Sequence, residues 1–139
     1  MYKKILVPVD LNHLDKLSKA LSTAVDIARH YQATLCYVSV SNSTPSPAAH
    51  NSEELKTKLQ EFAREQGDQH AIATETLFIE SPDTAVELDD DLLTAIEQTG
   101  ADLVVMASHP PGVADRLHIL RSNGATLLRH SDVSMFVVR

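Results

Sequence analysis

Four runs of this chain are apolar almost from end to end: Lys4-Ile-Leu-Val-Pro-Val9, Leu35-Cys-Tyr-Val-Ser-Val40, Ala101-Asp-Leu-Val-Val-Met106 and Val133-Ser-Met-Phe-Val-Val138. Short continuous apolar segments rich in β-branched residues suit strands covered on both faces, the situation of a parallel sheet. Pro8 has no N–H to give a ladder, so it is expected at the carboxyl end of its strand. A weaker alternation over Ala71 to Ile79 suits a half-exposed strand near a sheet edge.

The stretches between these runs carry helical spacing. Leu17, Ala20, Leu21, Ala24, Val25, Ile27 and Ala28 define a first helix closing near Tyr31. Ser41 to Ala49 contains two prolines among turn formers and reads as an exposed loop. Ser52-Glu-Glu54 opens a second helix through Leu55, Leu59, Phe62 and Ala63, with Gly67 as its expected stop. Ser81 as N-cap and Pro82 at the first helical position begin a third, which ends at Gly100. A fourth is expected over Arg121 to His130. Strand and helix thus alternate throughout. Parallel strands need crossover connections, and those are right-handed, so the expectation is an α/β fold: a five-stranded parallel doubly wound sheet with helices on both faces.

With 139 residues and 43% hydrophobic content, residues 1–139 are expected to form one domain with a real core. A formal charge of -7 without a basic cluster argues against nucleic-acid binding, which needs Lys and Arg to neutralise phosphates. The N-terminal apolar run is broken at Pro8 and Asp10, so neither a signal peptide nor an anchor is expected there, and no run is long enough to insert in a membrane. Cys36 has no second cysteine to pair with, which agrees with a cytoplasmic location, and its apolar setting favours a buried thiol over a nucleophile.

In such sheets ligands bind beyond the carboxyl ends of strands, where the winding reverses. That rule selects Asp10, the segment Val38 to Ser41, and Ala107 to Pro110. Ser122, Asn123 and Gly124, in the first turn of the last expected helix, could add an anion-binding N-terminus. No metal site is expected. Consecutive acids at Asp89, Asp90 and Asp91 point in different directions on a helix, and His13, His118 and His130 lack ligand spacing. His130 is instead expected at a helix C-terminus, where partial positive charge is favourable. Ser108 and His109 are neighbours and so badly placed as nucleophile and base, and both a nucleophile elbow and a complete phosphate-binding P-loop are missing.

At these residues the chain resembles the universal stress protein family. The resemblance runs from Lys3-Lys-Ile-Leu-Val-Pro-Val-Asp10 through Ala101-Asp-Leu-Val-Val-Met-Ala-Ser-His109 to Ser122-Asn-Gly-Ala-Thr-Leu-Leu-Arg-His130 and the closing Val-Val. Ala107-Ser-His109 and Ser122-Asn123 are most similar to its short, single-domain bacterial branch. The resemblance implies a Rossmann-like sheet of the adenine nucleotide alpha hydrolase type, cytoplasmic life, a role in stress response, a homodimer and, in many members, ATP or AMP binding. It places Pro8, Val9, Asp10 and Val38 on the adenine side, and Ala107, Ser108, His109, Arg121, Ser122 and Asn123 on the phosphate side.

Nucleotide-binding members carry Gly-x-x-Gly, a spacer, then Gly followed by Ser or Thr. Here Ala107, Pro110 and Arg121 stand at the glycine positions, and the spacer from Pro111 to Leu120 is one residue longer. Pro110 removes an N–H donor. Arg121 either crowds the phosphate or binds it with its guanidinium. Two functions follow. One is a regulatory protein binding adenine nucleotide weakly or in an altered mode, with at most slow ATP hydrolysis or autophosphorylation. The other is a dimeric interaction module of the same family that has lost nucleotide and serves an unknown protein partner. In either case Val133 to Val138 is an apolar edge strand, an aggregation hazard unless paired with its own copy.

Overall fold

The structure, a computed structural model, describes residues 1–41, 52–80, 84–107 and 132–139, with the side chains of 41 and 84–90 left out. Five strands, β1 (Lys4–Pro8), β2 (Thr34–Ser41), β3 (Thr74–Glu80), β4 (Leu103–Ala107) and β5 (Ser134–Val138), form one sheet in the order β3-β2-β1-β4-β5. Every pairing is parallel. Three helices are described: α1 (Ser18–Tyr31), α2 (Ser52–His70) and α3 (Thr84–Thr99), with a 3-10 turn at Leu14–Leu17 leading into α1. The expected helix over Arg121 to His130, the expected loop from Ser41 to Ala49 beyond its first residue, and the Ser81-Pro82 helix start lie outside the described residues.

Alternate residues of each strand face opposite sides, and along the central strands both sides are buried. Ile5, Val7, Leu35, Tyr37, Leu103 and Val105 pack with Ala20, Ala24 and Ala28 of α1 and Leu59 and Ala63 of α2. Leu6, Cys36, Val38, Val104 and Met106 pack with Leu92, Ala95 and Ile96 of α3. That two-sided burial is why the central strands read as unbroken apolar runs. The first two crossovers therefore share one face and the third lies on the other. The reversal of winding falls between β1 and β4.

Gly67 does not end α2. The helix runs on to His70, and the chain turns at Ala71, whose φ is 54°. The Ile72 N–H then donates to the Gly67 carbonyl at 3.2 Å, the closing bond of a left-handed helix cap. A Cβ on Gly67 would meet the Ile72 carbonyl oxygen at 3.1 Å and Thr74 Oγ1 at 3.2 Å, so this glycine serves close helix–strand approach. α1 ends in the same way at Gln32, φ 55°, with the Ala33 N–H on the Ala28 carbonyl. Of the three described helices, α3 alone stops where glycine announces it, at Gly100 with φ 70°.

Candidate functional site

The site is built from the carboxyl ends of β1, β2 and β4. β1 and β2 pair over their whole shared length, Lys4↔Thr34 to Pro8↔Val38. β1 and β4 pair only at Ile5↔Leu103 and Leu6↔Val104. Continuing that register sets Ala107 level with Val9, so the two strands run side by side to their ends without a ladder between them. This unpaired stretch at the winding reversal is where doubly wound sheets take ligands.

Asp10 stands at its mouth. Its Oδ1 accepts the Asn12 N–H at 2.9 Å, an Asx turn, while the His13 N–H donates to the Asp10 carbonyl at 3.0 Å. Asp10 Oδ2 is 2.9 Å from His13 Nδ1, with the two side chains 25% and 37% exposed. The Lys16 N–H on the His13 carbonyl, 3.1 Å, then starts the 3-10 turn. Asp10 thus shapes the turn and keeps a quarter of its side chain open to solvent.

Of the residues singled out in the sequence, Pro8, Val9, Asp10 and Val38 come together here, with Ala107 across the unpaired stretch. Val38 is 1% exposed, and its carbonyl accepts the Val9 N–H at 2.8 Å, so its side chain and this acceptor are engaged in the sheet. Ser108, His109, Pro110, Arg121, Ser122 and Asn123 lie outside the described residues.

Two features escaped the sequence reading. The first is which way the main chain of Val40, inside the selected segment Val38 to Ser41, is turned. The Thr34 N–H donates to Lys3 and the Leu35 N–H to Ala73, so even-numbered residues of β2 turn their main chain toward β1. Pairing with β1 stops at Val38, so the Val40 amide and carbonyl face the space beyond Pro8 and Val9. Strand parity is legible in sequence only once the pairing partner and its last residue are known. The second is His13, whose Asp-x-x-His spacing from Asp10 is the available signal.

Elsewhere, a shallow depression of about 310 Å³ between α2 and β3 is lined by Gln60, Ala63, Arg64, Thr74, Glu75 and Thr76, away from the winding reversal. Cys36 is 1% exposed, and burial, with Glu75 adding to it and Lys4 opposing, pushes its thiol up to about 11. The thiolate is the nucleophile, so Cys36 is inert in this setting. Among the described residues no group of three or more His, Cys, Asp or Glu is placed to hold a metal, and no helix is long and apolar enough to cross a membrane.

A model of the universal stress protein family matches residues 1–139. The chain belongs to this family. Universal stress protein G of Salmonella typhimurium is 30% identical over 151 residues, with all of both chains covered. Among solved structures, a universal stress family protein from Burkholderia pseudomallei superposes with a TM-score of 0.64 at 22% identity, covering 99% of this chain and 96% of that one. The universal stress protein from Archaeoglobus fulgidus in complex with dAMP does so with a TM-score of 0.63 at 15% identity, covering 99% and 98%. These likenesses establish the all-parallel sheet with helices around it as the family's fold.

Proposed function

We infer that this chain is a regulatory universal stress protein that takes an adenine nucleotide, ATP or AMP, at the carboxyl ends of β1, β2 and β4. The observation that carries this reading is the early end of the β1–β4 ladder at Leu6↔Val104, which leaves Asp10 beside an unpaired stretch at the winding reversal. A carboxylate offers only acceptors, so it suits the exocyclic amine of adenine, and the Val40 main chain supplies a neighbouring donor and acceptor. The dAMP complex of a protein with this fold supports adenine as the base. On the family resemblance, the phosphates go to Ala107, Ser108, His109, Ser122 and Asn123, with Arg121 supplying the charge that the missing glycine amides do not.

The test is mass spectrometry of the purified protein for a co-purifying adenine nucleotide, followed by calorimetric titration with ATP and AMP. Micromolar binding that weakens in Arg121→Ala supports the reading. No bound nucleotide and no heat would sink it, and ATP binding that first arises in Arg121→Gly would identify the chain as an interaction module that has lost nucleotide.

Phe136 supports a homodimer in either case. It is 46% exposed on β5, which pairs with β4 on one side and forms the sheet edge on the other among the described residues. An apolar edge of this kind is best covered by its own copy across a two-fold axis. Light scattering should report a dimer that Phe136→Lys converts to monomer. A wild-type protein that stays monomeric at high concentration would contradict the pairing.

A further inference from the structure

The geometry points to His13 as the positioning residue for Asp10, holding its carboxylate in the orientation that reads the amine of an adenine base. The assignment rests on the reading of Asp10 as the base-recognising group and specifies how that group is prepared.

An ionised carboxylate has no hydrogen to give, so in the 2.9 Å contact the proton belongs to Nδ1, and His13 donates to Asp10 Oδ2. The Asn12 N–H donates to Oδ1 at 2.9 Å. One donor on each oxygen fixes the rotation of the carboxylate about its Cβ–Cγ bond. Each oxygen keeps a second lone pair, so the group is oriented without being used up. The two donors differ in kind. The Asn12 amide is part of the backbone turn and accompanies any chain with an acid at this position. The imidazole is a side chain that happens to fall three residues on, where the His13 N–H on the Asp10 carbonyl at 3.0 Å brings its ring back over the acid. Among the described residues, removing the imidazole leaves one donor, and the carboxylate regains rotation that binding must then suppress.

β1 ends at Pro8, so Asp10 lies beyond the last ladder pair, and among the described residues no neighbouring strand bonds its side chain. The main-chain bonds of Val9 and His13 fix the backbone on either side of Asp10, and His13 fixes what projects from it.

The experiment is calorimetric titration of the full chain with AMP and with inosine monophosphate, whose base carries a carbonyl where adenine has its amine, for wild type, His13→Ala and His13→Asn. Asparagine places an N–H near the position of the histidine Nδ1. The expected result is AMP affinity about 3- to 10-fold weaker in His13→Ala, inosine monophosphate affinity unchanged, and AMP affinity restored in His13→Asn. A structural role alone would move both ligands together. Equal changes for the two ligands, or no change for either, overturn the assignment while leaving the nucleotide site standing. Tighter AMP binding in His13→Ala also overturns it, because His13 would then be a competitor for Asp10. Wild-type protein that takes up neither ligand removes the site reading itself and the assignment with it.

Discussion

Two aspartates sit at opposite ends of the same strand neighbourhood and do opposite work. Asp102, at the amino end of β4, accepts the Lys3 N–H at 2.9 Å and the Lys4 N–H at 3.2 Å. Its own N–H donates to the Lys4 carbonyl at 3.0 Å, and its carbonyl accepts from Ser134 at 3.1 Å. One residue therefore ties β1, β4 and β5 together, using partners remote in sequence. Asp10, at the carboxyl end of β1, finds its partners among the described residues within three positions and shapes its own turn. The difference teaches how a parallel sheet divides its labour. At the amino ends the sheet needs its frayed main chain tied, whereas at the carboxyl end of β1 the acid caps a local turn beside the winding reversal, the place where ligands bind in such sheets.

The comparison can be broken or sharpened by experiment, beginning with the core that separates the two ends. If that core is dry, Cys36 and Tyr37 stay neutral within it. Burial pushes Tyr37 up to about 12, and burial with Glu75 pushes Cys36 up to about 11, against ordinary values of 10.0 and 9.0. Both folded values lie above the unfolded ones, so the stability they contribute is complete below pH 9 and is lost as the pH climbs toward 12. Denaturant midpoints measured from pH 8 to 11.5 should fall steadily, with a loss on the order of a few kcal/mol. A flat profile would mean that water reaches the sheet centre.

Asp10→Ala should lower AMP affinity by about 10-fold or more, as expected for a hydrogen bond to a charged group, and cost less than about 1 kcal/mol of unfolding free energy. Asp102→Ala should do the reverse. Two main-chain N–H groups lose their acceptor, so urea denaturation should show a loss of about 1–2 kcal/mol, with amide exchange accelerated at Lys3 and Lys4 and AMP affinity unchanged. Comparable affinity losses in both variants would collapse the distinction between the two ends.

The smallest effect separates main-chain clasp from side-chain charge at the amino end. Lys4 Nζ meets Glu75 at 2.9 Å, but the side chains are 27% and 48% exposed. Glu75→Gln should therefore cost less than about 1 kcal/mol, and less again at high salt. A loss exceeding that of Asp102→Ala would show that the ion pair, rather than the clasp, holds this end.

Much of the fold was legible because burial writes itself into residue type. The apolar runs became β1, β2, β4 and β5, and Ala71 to Ile79 became the other edge, β3, shifted to Thr74–Glu80. Punctuation was less reliable. Gly100 ended its helix, whereas Gly67 lay inside one, and Gln32 and Ala71 took the left-handed caps that glycine usually holds. A helix ends where its packing partner turns away, and a residue with a side chain accepts the roughly 1 kcal/mol of strain when tertiary contacts require it. In the candidate site, Asp10 and the segment Val38 to Ser41 were marked by their place at strand ends, and Pro8 and Val9 by the family resemblance. The direction of the Val40 main chain and the bond from His13 to Asp10 were not, since both depend on where pairing stops.

What the sequence by itself determined was the architecture: runs apolar on both faces, alternating with helical periodicity, leave a parallel doubly wound sheet as the arrangement that buries them. What only the tertiary structure decided was the work of each polar group upon it. Asp10 and Asp102 follow and precede similar apolar runs, and the sequence does not say which carboxylate is tied to a neighbouring strand and which to its own turn. Strand order and register do, because they bring the Lys3 and Lys4 amides to one carboxylate and leave the other at the place where the β1–β4 ladder ends.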